Sequence, residues 1–189
     1  PRTGSPARAA GGFGALSGAV VDTTAARAVA DGASTETDAA APRLRITEIF
    51  HSLQGEADAV GWPTVFVRLT GCPLRCVWCD TEYSFHGGEW REIGDIVEEV
   101  KKYKTRHVCV TGGEPLSQKR CLDLLRRLCD KGLDVSLETS GALDVSGVDA
   151  RVSRVVDVKA PGSGESARNL WGNLDVLNAH DQIKFVLAD

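Results

Sequence analysis

The sequence predicts an α/β domain on a mainly parallel sheet. From Leu44 onward short β-branched runs alternate with amphipathic stretches at helical spacing, the pattern of βα units. The chain is 189 residues long, 42% hydrophobic and 25% charged, the balance of one globular domain of ordinary size. The formal net charge of −4 argues against an affinity that comes from nucleic-acid phosphates or an anionic membrane. No apolar run approaches the ~20 residues that span a bilayer.

Strands are expected at residues 45–50, 64–70, 107–111, 133–138, 154–159 and 182–187. Between them, Ile93, Ile96, Val97 and Val100 fall on one helical face, as do Cys121, Leu124, Leu125 and Leu128, with Gly132 placed to stop the second helix. Residues 169–178 form a weaker helical pattern, interrupted by Gly172. Residues 1–43 are rich in Ala and Gly with Phe13 as their sole aromatic, and are expected to be a disordered leader. Arg2, Arg8 and Arg27 suit a transit peptide, whereas Asp22, Asp31, Glu36 and Asp38 are unusual in one, and the apolar core of a secretory signal is absent. The domain proper is read as 44–189. It stops directly after a strand, where a covering helix usually follows, so it is expected to be incomplete at its C-terminus.

Chemistry concentrates in the row GCPLRCVWCDT, where Cys72, Cys76 and Cys79 make a CxxxCxxC spacing. Such a loop wraps one inorganic centre, and three thiolates on a four-iron cluster leave one iron open for chemistry. Structural zinc sites need four ligands; His86 is the nearest recruit, so a zinc module stays open as an alternative. A disulfide leaves an odd cysteine. Cys109, Cys121 and Cys129 stand among apolar neighbours and read as core. Trp62, Trp90 and Trp171 read as packing aromatics, and His51 and His180 as structural. After the strand at 107 comes Thr111-Gly112-Gly113-Glu114-Pro115, at the carboxyl end where parallel sheets place their sites, with glycines that let a ligand approach the backbone.

Together the cysteine loop and the GGEP turn resemble the radical S-adenosylmethionine (SAM) superfamily, across residues 44–189. Within it, EIFHSLQGE, FVRLTGCPLRCVWCDT, VTGGEPL, LETSG and DVKAPGSG resemble the 7-carboxy-7-deazaguanine synthase family of the queuosine pathway. The resemblance implies a partial (βα) barrel of the radical SAM type. It implies a lyase that turns 6-carboxy-5,6,7,8-tetrahydropterin into 7-carboxy-7-deazaguanine with loss of ammonia.

By the same resemblance, Cys72, Cys76 and Cys79 hold a [4Fe–4S] cluster whose open iron is chelated by SAM, and Thr81 ligates Mg²⁺. SAM is contacted by Trp78, Cys79, Asp80, Gly113, Glu114, Asp157, Val158, Lys159, Gln182 and Lys184. The substrate is contacted by Leu53, Gln54, Gly55 and Thr111, with the Arg68 guanidinium on its carboxylate. On the residues alone, the alternative is that Arg68 points to solvent or pairs with Glu48. Implied partners are an electron donor such as flavodoxin or ferredoxin and a second copy of the chain, in the cytoplasm. Ala57 departs from the family's QGEG, and His51 stands where many members have an aromatic. A glycyl-radical-enzyme activase of the same superfamily and a non-catalytic metal-binding module remain the alternatives.

Overall fold

The computed structural model describes residues 41–187, so nearly all of the expected 1–43 leader lies outside the described residues. Seven strands form one sheet in the order β3-β1-β2-β4-β5-β6-β7. They are β1 (Arg43–Leu53), β2 (Pro63–Leu69), β3 (Glu89–Glu92), β4 (His107–Gly112), β5 (Asp134–Thr139), β6 (Ser153–Asp157) and β7 (Gln182–Lys184). β1 runs antiparallel to both of its neighbours, while β2, β4, β5, β6 and β7 are parallel. Every expected strand is present. β3 was not expected: its four residues EWRE carry no apolar alternation, and it exists as an edge strand on β1.

Helix α1 (Ile93–Lys102) buries Ile93, Ile96, Val97 and Val100, and helix α2 (Cys121–Asp130) buries Cys121, Leu124, Leu125, Leu128 and Cys129. Gly132, at φ 75°, ends α2 as expected: its N–H donates to the Cys129 carbonyl at 2.9 Å and that of Leu133 to Leu128 at 3.4 Å. The weak helical pattern at 169–178 becomes a 3₁₀ segment, Trp171–Val176. Within it Asn173 is buried, and its side chain serves an irregular connection: Nδ2 donates to the carbonyls of Gly141 (3.2 Å) and Leu143 (2.9 Å), and Oδ1 accepts from Val145 N (3.2 Å). A packed polar side chain thus replaces the helix that a regular βαβ crossover would use between β5 and β6.

The sheet has two chemically different faces. Val65, Val67 and Leu69 of β2, Val108 and Val110 of β4, and Val135 and Leu137 of β5 join the core under α1 and α2. Their alternates point the other way: Phe66 and Arg68, Cys109 and Thr111, Ser136 and Glu138. In β1 the alternation is broken by a bulge between Ile46 and Glu48. Leu44 and Ile46 lie in the helix-side core, yet beyond the extra residue Ile49 takes that face, and Glu48, Phe50 and Ser52 turn to the opposite one. Of the three tryptophans read as packing residues, Trp90 and Trp171 lie 56% and 62% exposed, against that reading, whereas Trp62, 51% exposed, packs one edge on His107. No helix among the described residues is long and apolar enough to cross a membrane.

At the amino end of β4, His107 is buried with Nδ1 2.8 Å from Thr64 Oγ1 and Trp62 edge-on to its ring at 5.6 Å. Burial pushes its imidazole below the ordinary 6.5, against the opposing pull of Asp134 and Glu138. With the folded value depressed, the unfolded chain takes up a proton as pH falls through about 6.5 while the folded chain does not, so this contribution is present above that pH and lost below it. Urea unfolding from about pH 7 to about pH 5 is therefore expected to show wild type losing more stability than His107→Gln. Parallel curves would rule the contribution out.

Candidate active site

β2 and β4 lie side by side with Arg68 opposite Thr111 and Leu69 opposite Gly112. At their carboxyl ends two chain segments meet almost backbone on backbone. A Cβ on Gly112 would collide with the Leu69 carbonyl, and one on Gly113 would stand 2.5 Å from the Gly71 carbonyl and 2.7 Å from Cys72 Cβ. The contact is sealed by Gly113 N donating to Leu69 O (3.2 Å) and Glu114 N to Gly71 O (2.8 Å). The glycine pair was expected to admit a ligand; what it admits first is the start of the cysteine loop.

Behind this junction the Glu114 carboxylate is fully buried and saturated with donors. It accepts from Leu116 N (2.9 Å), Thr139 Oγ1 (2.9 Å), Ser140 N (2.7 Å) and Ser140 Oγ. The side chain ties the end of β4 to the end of β5, because an unpaired carboxylate at this depth would be costly.

In front of the junction opens a cavity of about 460 Å³, within the range of small-molecule sites. Cys72, Cys76 and Cys79 line it together, each a half-buried free thiol. Burial pushes the Cys72 thiol up, offset in part by the Leu74 N–H, and the charges of Glu114, Cys76 and Cys79 add to the rise. Cys76 is likewise raised by burial, eased by Lys159 and raised further by Cys79, Glu165 and Asp157. Thiols so placed need a cationic partner to ionise together, which an iron cluster supplies.

Among the described residues no group of His, Cys, Asp and Glu converges tightly enough to hold a single ion. His86, the candidate fourth zinc ligand, is exposed and off the cavity wall. A four-iron cluster gives each thiolate its own iron, so three thiols that line one cavity without converging on a single ion fit it. By contrast Cys109, Cys121 and Cys129 are buried thiols raised by desolvation, as expected of core residues.

The remaining walls carry charge in pairs. Arg68 Nε donates to Glu48 at 2.7 Å, and its guanidinium lies 5.8 Å from the Phe50 ring and 5.9 Å from the Tyr83 ring. Burial opposes it, yet the Tyr83 hydroxyl (2.8 Å) and Arg68 hold Glu48 below the usual carboxylate range. Among the described residues the two terminal nitrogens of Arg68 take no hydrogen-bond partner, so its fork remains available. Lys159 pairs with Asp157 and Lys184 with Glu56, both at 2.6 Å. Asp157 Oδ1 is buried without a partner.

Of the residues singled out in the sequence, Leu53, Gln54, Gly55, Arg68, Thr111, Trp78, Asp80, Thr81, Gly113, Asp157, Lys159 and Lys184 line this cavity with the three cysteines. Glu114, Val158 and Gln182 do not line it. Val158 N donates to Lys184 O (2.9 Å), and Gln182 Oε1 accepts from Asp58 N (2.7 Å). Thr81 Oγ1 donates to Asp80 Oδ1 at 2.6 Å.

Sequence reasoning missed Phe50, Phe66 and Glu138. The two phenylalanines stack on the wall with centroids 5.0 Å apart. Glu138 accepts from Gln54 Nε2 (3.2 Å) and Thr111 Oγ1 (3.0 Å), and so joins two expected substrate contacts. Its signal was present: Ser136 and Glu138 alternate with Val135 and Leu137, which puts a carboxylate on the polar face near the carboxyl end of a parallel strand.

The sequence model of the Radical SAM superfamily matches residues 66–158. The 7-carboxy-7-deazaguanine synthase of Thermoplasma acidophilum is 40% identical over 148 residues, which cover 77% of this chain and 71% of the relative. The chain belongs to the 7-carboxy-7-deazaguanine synthase family. The Koribacter versatilis member is 47% identical over 148 residues, covering 77% of this chain and 66% of that protein. The crystal structure of QueE from Escherichia coli superposes with a TM-score of 0.60 at 28% identity, covering 76% of this chain and 71% of that one. The chain thus spans about two thirds of the length of the curated family members it matches. The α/β fold with its mainly parallel sheet is that of the radical SAM family.

Gly113→Ala is expected to destabilise the domain by roughly 1–3 kcal/mol, because backbone rather than a flexible side chain blocks the new methyl. Gly55→Ala, which meets nothing within 4 Å, is the control on stability. Urea midpoints and the rate at which a thiol reagent labels the cysteine loop report both effects; equal behaviour of the two variants would contradict the close-approach argument.

Proposed function

We propose that this protein is a radical SAM lyase that converts 6-carboxy-5,6,7,8-tetrahydropterin to 7-carboxy-7-deazaguanine with loss of ammonia, in the pathway to queuosine. The observation that supports this most is that three thiols of one loop and the unengaged fork of Arg68 open into the same cavity. Cys72, Cys76 and Cys79 would hold a [4Fe–4S] cluster which, with SAM on its open iron, supplies the electron that yields a 5′-deoxyadenosyl radical for hydrogen abstraction.

The chain's own residues do the binding and orienting. Trp78, Cys79, Asp80, Gly113, Asp157, Lys159 and Lys184 offer SAM a wall. Glu114, Val158 and Gln182 act from behind it: Glu114 fixes the turn that carries Gly113, and the other two hold β6, β7 and residue 58 in place. The Arg68 fork takes the substrate carboxylate, while Glu48 and Tyr83 fix its orientation through Nε and the ring face. Leu53, Gln54, Gly55 and Thr111 meet the pterin edge, with Glu138 setting the amide and hydroxyl. Thr81 offers an oxygen to Mg²⁺. A flavodoxin or ferredoxin as electron donor, a homodimer and a cytoplasmic location complete the reading.

The test is anaerobic reconstitution with iron and sulfide, then incubation with reductant, SAM, Mg²⁺ and 6-carboxytetrahydropterin, with products followed by mass. 7-Carboxy-7-deazaguanine is expected only with all components present. Formation of 5′-deoxyadenosine without it would overturn the substrate, and formation of neither by cluster-loaded protein would overturn the enzyme reading. Cys76→Ala is expected to abolish SAM cleavage. Arg68→Ala is expected to lower kcat/KM for the pterin about 10–100-fold, the loss of a charge-assisted hydrogen-bond pair, while uncoupled SAM cleavage persists. An unchanged kcat/KM would remove Arg68 from the substrate site.

A further inference from the structure

The cysteine loop is seated on a second segment, the turn 161–165 that follows β6, which none of the roles above uses. Val77 N donates to Ser163 O at 3.0 Å, and Arg75 N donates to Glu165 Oε1 at 2.5 Å. The Trp78 ring lies over Gly162 so closely that a Cβ there would stand 2.8 Å from Cη2. The turn is braced by its own side chain: Ser163 is buried, its Oγ donates to Ala160 O (2.6 Å) and accepts from Glu165 N (3.1 Å). From the loop side, the Arg75 guanidinium donates to the carbonyls of Cys72 (2.9 Å) and Leu74 (2.6 Å) and stacks on Phe85 at 4.2 Å. One residue between two of the cysteines is therefore held at its amide by Glu165, while its guanidinium holds the backbone around the first cysteine.

Glu165 also brings a negative charge to this loop. Its carboxylate sits on the amide of the residue immediately before Cys76. Net charge and hydrogen bonding around the sulfurs are among the levers that set an iron–sulfur potential.

Resting on the cluster reading above, we propose that Glu165 is a positioning residue for the cluster loop: its carboxylate clamps the Arg75 amide and its charge keeps the cluster at a lower reduction potential. Glu165→Gln retains an oxygen for the Arg75 N–H and removes the charge. Glu165→Ala removes both.

The experiment uses the full chain, reconstituted without oxygen, with iron counted per chain, chelator-driven iron loss timed, and the midpoint potential read by electron paramagnetic resonance during titration with a chemical reductant. Glu165→Gln is expected to keep wild-type iron content and show a more positive midpoint; Glu165→Ala is expected to lose iron several-fold faster as well. A cluster-loaded Glu165→Gln with the wild-type midpoint overturns the charge role. Wild-type iron retention in Glu165→Ala overturns the clamp, and if that variant fails to fold by circular dichroism, the Glu165→Gln midpoint decides alone. Wild-type chain that takes up no four-iron cluster overturns the cluster reading and this proposal with it.

Discussion

The arrangement of the site depends on how closely two backbone segments approach at the carboxyl ends of β2 and β4. Leu69 O and Gly71 O stand where any Cβ on Gly112 or Gly113 would be. Because nothing larger than hydrogen intervenes, β4 draws the first turn of the cysteine loop against its own end and fixes where Cys72 departs. Glu114 then carries the constraint onward to β5 through Thr139 and Ser140, so its amide and its buried carboxylate together tie three strand ends to one residue. A buried carboxylate is tolerated here only because donors surround it, and the same donors make it directional.

Around that junction the sheet separates two kinds of work. Its helix face is a continuous aliphatic core, while the other face holds serine, threonine, glutamate and arginine, which a closed core would not accept without partners. The charges on this face are largely mutual: Arg68 with Glu48, Lys159 with Asp157, Lys184 with Glu56. Pairing offsets part of the cost of half-burying these charges while leaving the terminal nitrogens of Arg68 without a partner among the described residues.

The helices and most strands were legible because their apolar periodicity is strong and their packing is local. The cysteine loop was legible because its spacing has few other uses. What stayed hidden has specific causes. β3 has no hydrophobic pattern, since an edge strand with exposed side chains needs none. The β5-to-β6 connection resists reading because Asn173, some thirty residues later, supplies the hydrogen bonds that a helix would have supplied. The bulge in β1 is invisible in composition: Thr47 is an ordinary strand residue, and only the register with β2 shows that it is the extra one. Glu165 was passed over for a related reason, since its partner is the backbone of a loop ninety residues away in the chain.

Arg68 joins these threads. In sequence it had two competing readings, a pairing with Glu48 or a clamp for a carboxylate. In the structure both belong to one geometry: the bulge brings Glu48 opposite Arg68, Glu48 takes Nε, and the Phe50 and Tyr83 rings flank the guanidinium. A partly exposed ion pair contributes little to stability, on the order of 0–1 kcal/mol, so the pairing is better understood by what it does to direction. A guanidinium held at Nε and flanked by aromatic rings has lost most of its rotamers before any ligand arrives. The entropy of ordering that long side chain is then already spent in the free protein, and the fork meets a carboxylate preorganised. The bulge therefore matters to binding although none of its atoms need touch a ligand.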